Sequence, residues 1–545
     1  MDQDTNGQPL KRRTVFMPLL VCVLLGIGFV LGSGIDRYLP GVKRAVSMPD
    51  SLSNGSFNEV LRYINAKYVD KLSSKKLEEE AINNLLVQLD PHSVYIPREE
   101  ITEVNEDMSG DFEGIGIEYL LVQDTIVVMS TIAGGPSDLV GLRPGDKIIS
   151  INDTAVYKFK LESRDVTKKL RGPKGTKVKL AILRAPSKSL LEFIIKRDQI
   201  PINSVDAAYQ VDNTTAYIKI NRFSSKTYEE FMGAMDSLFN RNKLQNLILD
   251  LRQNPGGYLQ EATNILSQLI SERSKLLVYT KGRNHNKTDY ETNGRCHFDI
   301  KKLAILIDEG SASASEIVAG AIQDWDRGVI IGRRSFGKGL VQEQFELSDG
   351  GALRLTVAKY YTPSGRCIQK SYTDHLNYEN DLENRLKAGE LVNGINGVKT
   401  DTTKYFTSKG RVVFGSGGIS PDIFVPADTI LFSHDFLMFR QYVAEFAIQW
   451  ININRSILPK DLKSFVSEFI VTDAQLKEFI DYSKTKGLNK PINTLKVFPD
   501  LKRFLKARIG RQLYGDKGYY QVMNSDDPSF LKAIERFKLN KPIPF

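Results

Sequence analysis

The chain has 545 residues, 41% hydrophobic and 26% charged, with a formal net charge of +9. That length exceeds what one core holds, so about two to four domains are expected. The charge is mild for this length and its clusters, such as Lys11-Arg12-Arg13, are short, so a nucleic-acid-binding surface is not supported.

Val15 to Ile35, VFMPLLVCVLLGIGFVLGSGI, is a run of 21 residues without a charge, preceded by the three basic residues. A helix needs about 20 apolar residues to cross a bilayer. The expectation is a transmembrane signal-anchor over 15–35, residues 1–14 cytoplasmic, and the rest translocated. A cleaved signal peptide, offered by Gly32-Ser33-Gly34, is the alternative. Residues 36–56 read as a linker. Residues 57–109 read as amphipathic helices, ending one of them at Asp90-Pro91. From 110 to 198 short Ile- and Val-rich runs separated by Gly and Pro turns predict a small, mainly β domain containing the helix LESRDVTKKLRG. From 199 to 428 strands and helices alternate, which predicts an α/β layered domain. Within it, Tyr372 to Lys409 reads as an insertion or flap. Residues 429–545 read as mainly helical, without a legible function. Cys296 and Cys367 either pair or stay as buried thiols.

Three segments of the α/β region carry chemistry. Gly332 to Lys338 fits G-x-x-x-x-G-K, the spacing of a phosphate-binding loop, but Gly339 stands where the magnesium-binding hydroxyl belongs. The following LVQEQFELSDGGALRLTVAKYY alternates around an Asp349-Gly350 turn. It predicts strand, turn, strand, without the helix start that a phosphate needs. Upstream, DEGSASASEIVAG places small residues between a buried strand and an amphipathic helix. A serine there either caps the helix, as Ser313-x-x-Glu316 does in a capping box, or serves as a nucleophile near the positive end of the helix dipole. A nucleophilic serine needs a base. None of His92, His285, His297, His375 and His434 stands in a recognisable catalytic setting, whereas a buried Lys338 with a lowered pKa could serve. Third, LILDLRQNPGG runs a strand into Gly256 and Gly257, whose backbone N–H groups, with the amide of Ala314, could form an oxyanion hole.

In this order, LDLRQNPGG, GSASASEIVAGAIQD, GRRSFGKGLVQ, ALRLTVAKYYTPSGR and GGISPD closely resemble the carboxyl-terminal processing proteases, serine peptidases of family S41 (tail-specific proteases). LDPHS, at residues 89–93, matches as well, and the likeness extends from Phe57 to about Pro426. The resemblance places the nucleophile at Ser313, the base at Lys338 and an orienting glutamine at Gln342. On one strand Lys338 and Gln342 would lie roughly 13 Å apart, so their contact requires Lys338 to bend back. Asp324, matching an aspartate described in some members, lies about 16 Å along the helix from Ser313 and is read as structural.

The β region resembles a PDZ domain, with Gly114, Ile115, Gly116 and Ile117 as the loop that binds a peptide carboxylate while the peptide adds to the sheet edge. Arg171 is implied as a link from ligand binding to the active site, or is a helix-end cation. The fold implied is multidomain: a helical N-terminal region, the PDZ domain, a crotonase-like α/β catalytic domain and a helical C-terminal region. The implied function is an endopeptidase of the bacterial inner membrane, single-pass, that cuts the C-terminal tails of periplasmic or membrane proteins with a Ser-Lys dyad and no cofactor or metal. Its implied partners are proteins or peptides with apolar C-termini, with a homo-oligomer or adaptor left open. A PDZ scaffold that only binds C-termini is the alternative. Ser73-Ser-Lys-Lys76 fits the S-x-x-K of penicillin-type chemistry in letters but is polar and lacks partners.

Overall fold

A computed structural model describes residues 56–122, 124–157, 162–187, 189–394, 403–488 and 496–539. The chain forms two compact units, Met1–Glu80 and Ala81–Phe545. In the first, the described part is the helix Ser56–Lys67 and the start of the helix Ser74–Val87. The expected inner-membrane location is corrected here. No helix among the described residues is long and apolar enough to cross a membrane, and residues 15–35, on which the expectation rested, lie outside them.

The second unit is built on a six-stranded sheet with the order Val205–Gln210, Thr215–Ile220, Asn246–Asp250, Lys302–Ile307, Val329–Gly332, Ile423–Phe424. The first pair is antiparallel and the rest are parallel. Its strands are near-continuous apolar runs because both faces are covered. Side chains alternate: Leu247, Leu249, Ile305 and Ile307 enter a core shared with the helices Thr227–Met235, Leu259–Leu269 and Ala314–Asp324. Tyr217, Ile248, Ala304 and Leu306 enter a second core closed by Phe530, Ala533 and Phe537 of the last helix, Pro528–Lys538.

A second sheet holds Val94–Ile96, Leu276–Lys281, Thr288–Glu291, Leu340–Glu346 and Ala352–Tyr361. Its hairpin 340–361 contains the expected strand, turn and strand after Gly339. A separate sheet runs Ile117–Val122, Thr125–Thr131, Lys147–Ile151, Lys177–Leu183, Leu190–Lys196, leaving Ile117–Val122 at an edge. Its apolar face packs on the helix Ser163–Leu170 through Val166 and Leu170.

The helices His434–Asn454, Leu462–Glu468, Asp473–Thr485 and Phe498–Asn524 form their own core around Phe439, Val443, Phe465, Phe479 and Leu501. In the 372–409 stretch, three short helices lie between His375 and Asn393, and the strand Lys404–Phe406 follows. Residues 395–402 of that expected flap lie outside the described residues. Cys296 and Cys367 are free thiols, which decides against their pairing.

Candidate active site

The strand Lys302–Ile307 delivers the chain to Asp308, and the helix Ala314–Asp324 begins six residues later. The short segment between them is braced against the Asn254 turn. Ala312 N–H donates to Asn254 O (2.9 Å) and the Ser315 hydroxyl to the same oxygen (3.0 Å). The Ser311 hydroxyl donates to Leu251 O at 2.9 Å. Ser311 and Ser315 are wholly buried and spent on these bonds. Ser313 alone among the three keeps partial exposure.

Ser313 has φ +54° and ψ −114°, a backbone state that non-glycine residues rarely adopt. Holding it costs about 1–3 kcal/mol, so it persists only where the surroundings over-determine it. Those surroundings are specific. Glu316 Oε2 accepts Ser313 N–H (2.9 Å) and Lys338 N–H (2.9 Å), while its Oε1 accepts Gly337 N–H (2.7 Å) and the Ser335 hydroxyl (2.5 Å). The Tyr360 hydroxyl donates to Ser313 O at 3.1 Å and also contacts Lys338 O. One carboxylate and one phenol thus bind the backbones of Ser313 and Lys338 together. Sequence reasoning saw Glu316 only as half of a capping box. That box exists, but three of the four donors to Glu316 come from residues 335–338.

Glu316 is fully buried and, among the described residues, forms no salt bridge. Burial pushes its carboxyl up to about 7, against the pull of its hydrogen bonds. Lys338 is held below the ordinary lysine range, first by burial and then by the positive charge of Arg354. Its Nζ donates to Gln342 Oε1 at 3.0 Å. Contact replaces the separation expected along a straight strand because Lys338 precedes the strand start at Leu340 and a bulge lies between Val341 and Gln342. Gln342 Nε2 in turn donates to His92 O. His92 belongs to the LDPHS stretch, which Asp90 folds by accepting from His92 N–H (2.8 Å), Ser93 N–H (2.9 Å) and the Ser93 hydroxyl (2.7 Å). The stretch matched the family pattern, but its part in holding Gln342 was not visible in sequence. His92 itself is pulled down to about 4 by burial and by the charge of Lys338. Among the described residues, no hydrogen bond joins Lys338 Nζ to Ser313 Oγ.

Gly256 and Gly257 stand beside the serine. A Cβ on Gly256 would lie 2.7 Å from Ser313 Cβ and 2.9 Å from Ala314 N. One on Gly257, at φ +144°, would strike Phe223 O at 2.1 Å. Only glycine permits this approach. The Gly256 amide donates to Asn254 Oδ1 (2.8 Å), so in this conformation that expected oxyanion donor is already used.

The other expected residues fall as follows. Asp324, at the far end of the Ser313 helix, pairs with Arg366 at 2.8 Å and accepts Ser364 N–H; it is buried structure, away from the serine. Gly114 ends the strand Asp111–Gly114 and Ile117 opens the edge strand. Between them Ile115 O accepts the Ser137 hydroxyl (2.6 Å), Gly116 O accepts Ile132 N–H (3.0 Å), and Gly116 has φ +71°. Arg171 follows the helix Ser163–Leu170. It pairs with Glu106 and lies over the Phe112 ring, 4.6 Å from its centroid.

Comparison with known proteins identifies the family. Residues 214–377 match the model of peptidase family S41, residues 127–184 match a PDZ domain, and residues 434–515 match a family of unknown function. The chain is 34% identical over 377 residues to the carboxy-terminal-processing protease of Bartonella bacilliformis, covering 68% of this chain and 84% of that one. It is 34% identical over 335 residues to the carboxy-terminal processing protease CtpB of Bacillus subtilis, covering 61% and 68%. Among solved structures, a photosystem II D1 C-terminal processing protease aligns with 28% identity over 57% of this chain and 89% of that one, at a TM-score of 0.34. The chain belongs to the carboxy-terminal processing proteases, serine-type peptidases of family S41 that carry a PDZ domain.

Proposed function

We propose that Ser313 and Lys338 form a catalytic dyad that cleaves protein C-terminal tails. The observation that carries this reading is the Glu316 carboxylate, which bridges the backbones of Ser313 and Lys338 (2.9 Å to each amide) at the mouth of a strained helix start. Lys338, desolvated, holds a neutral amine for a larger part of the population than a solvated lysine does. It takes the Ser313 hydroxyl proton as Oγ attacks the scissile carbonyl. The oxyanion is held by the amides of Gly257 and Ala314, with Gly256 supplying the close approach rather than the donor. Lys338 then gives its proton to the leaving amine, and the acyl-enzyme forms. Water then loses a proton to the Lys338 amine as it attacks the ester, and Lys338 returns that proton to Ser313 Oγ as the carboxylic acid product leaves. Gln342, tied to His92 O, positions Nζ for both transfers and is itself a positioning residue. The reading requires Lys338 Nζ, which here donates to Gln342, to reach Ser313 Oγ when substrate binds, since catalytic hydrogen bonds are often loose before then.

Substrate enters by its C-terminus. The carboxylate rests on the backbone amides of the Gly114–Ile117 loop and the tail adds to the Ile117–Val122 edge. Arg171, between that loop and Glu106, conveys occupancy toward the catalytic domain. The division we propose is a helical region at 57–109, a PDZ domain at 110–198, a catalytic domain of crotonase-like layering at 199–428 and a helical domain at 429–545.

The test is peptide cleavage by the full chain. A peptide ending in apolar residues is cut by the native protein and survives intact with Ser313→Ala or Lys338→Ala, while chelator changes nothing. Binding without cutting by the native protein favours the scaffold reading and contradicts the dyad.

A further inference from the structure

The edge strand Ile117–Val122 is paired on one side only, with Thr125–Thr131. Against the edge strand lies a cleft of about 690 Å³, lined also by Met129 of the neighbouring strand and Ser163 of the helix Ser163–Leu170; its opposite wall comes from the helices His434–Asn454 and Phe498–Asn524. The edge strand contributes Tyr119 and Leu120, and the C-terminal helices contribute Leu437, Arg440, Arg508 and Arg511. The far wall is therefore basic, and its arginines differ in how they are satisfied. Arg511 is bound to Glu118 (2.9 Å) and Asp516 (2.7 Å). Arg440 and Arg508 have no ion pair among the described residues; both rest on the ring of Phe504, at 5.4 and 5.1 Å from its centroid. Arg508 Nε is buried with no hydrogen-bond partner. Arg440 is exposed; Arg508 is partly buried, and its burial outweighs the pull of the Glu118 carboxylate, so its unpartnered N–H is costly to keep. Both arginines are kept at the one place where an added peptide strand would run.

We infer that the C-terminal helices complete the peptide groove of the PDZ domain and select tails carrying an acidic side chain a few residues before an apolar C-terminus, with Arg440 and Arg508 receiving the carboxylate. The inference rests on the proposal that tails bind at the Gly114–Ile117 loop. A peptide running antiparallel to the edge strand advances about 3.3 Å per residue. With its terminal carboxylate at the loop, about its third to fifth residues from the end pass the stretch up to Leu120. A guanidinium on an aromatic ring keeps its planar fork free for a carboxylate, and the unpaired strand edge supplies the backbone bonds. Specificity is thereby divided: the loop reads the terminus, and the helices read charge upstream of it.

The measurement is fluorescence polarisation of labelled decapeptides on the full chain carrying Ser313→Ala, which prevents turnover. The peptides share one apolar C-terminus and differ only in a Glu or a Gln at the fourth position from the end. The acidic peptide is expected to bind about tenfold more tightly at low salt, with the preference shrinking as salt screens it. Added Arg440→Gln and Arg508→Gln changes should bring the two peptides within about twofold of each other and leave the Gln peptide's affinity unchanged. Equal binding of both peptides to the arginine-bearing protein overturns this inference and leaves the PDZ reading standing. Binding of neither peptide overturns both.

Discussion

Two buried carboxylates, Glu316 and Asp250, flank the central sheet in different company. Glu316 receives only neutral donors, and burial lifts it to about 7. Asp250 is also fully buried, which pushes it upward, but the charges of Arg252 and Lys219 outweigh burial and hold it well below the carboxylate range. Arg252 forks onto Asp250 (Nη2 to Oδ2, 2.6 Å) and reaches Asp527 of the C-terminal region at 2.7 Å. The Tyr217 hydroxyl adds a bond to Asp250 at 2.8 Å. The paired carboxylate is structural: it clips the C-terminal helices to the strand that leads into the Asn254 turn. The unpaired one sits where an uncharged amine is wanted, organising Ser313 and Lys338 without a second cation. A fixed, fully ionised acid in that place would favour the ammonium form of Lys338 and weaken it as a base.

The comparison breaks first if the chemistry lies elsewhere. Ser313→Ala or Lys338→Ala is expected to reduce cleavage by at least about 10³-fold with unfolding unchanged, read by peptide turnover and thermal melts. The next effect is on the paired side. Arg252→Ala leaves Asp250 with Lys219 alone (3.7 Å) and removes the tie to Asp527; it should cost about 3 kcal/mol of stability, measured by denaturant unfolding, and a loss below about 1 kcal/mol would make the two carboxylates alike. Gln342→Ala should lower kcat by about ten- to a hundredfold, roughly 1.4–2.7 kcal/mol, and move the limb of the pH profile on which the rate rises as Lys338 loses its proton, whereas a purely structural glutamine would leave that limb in place. The pH dependence sharpens the contrast further. Glu316 has a folded pKa raised above its ordinary value, so its contribution favours folding at pH below about 4.5 and is lost as pH rises through about 7. Asp250 has the opposite sign, stabilising above its unfolded value near 4 and losing that support only in strong acid. Glu316→Gln should therefore flatten stability between pH 5 and 8 relative to the native chain, measured by unfolding across that range. Smallest is Arg171→Ala, whose partly exposed pair with Glu106 should cost under about 1 kcal/mol; its effect is expected in peptide-dependent activation of cleavage.

Much of the site could be read in order along the sequence, because its parts are strand ends, glycine turns and a helix start. The rest depends on contacts between distant segments. Three serines at 311, 313 and 315 are equivalent in pattern; burial and the oxygen atoms of Leu251 and Asn254 separate them. A capping box explains Glu316 from four residues, yet its fuller role needs residues 335–338. The LDPHS stretch closes onto Gln342 across 250 positions. The last helix, Pro528–Lys538, was illegible because it covers a sheet face whose strands, apolar on both sides, reveal only that some cover exists. The membrane-spanning expectation rested on the uncharged run at 15–35 and the basic residues before it, which lie outside the described residues, and no described helix is long and apolar enough to cross a membrane.

The central claim is an uncharged amine beside Ser313, and its ionisation can be followed directly. Lys338 Nζ in the full-length Ser313→Ala protein is labelled with a small amine reagent across pH 6–11, with mass spectrometry resolving each lysine. The account predicts a Lys338 midpoint below those of the exposed lysines, rising toward them in Glu316→Gln only if the pocket opens to water. A midpoint for Lys338 at the ordinary lysine value, in a protein that still cleaves its peptide when Ser313 is restored, would contradict it.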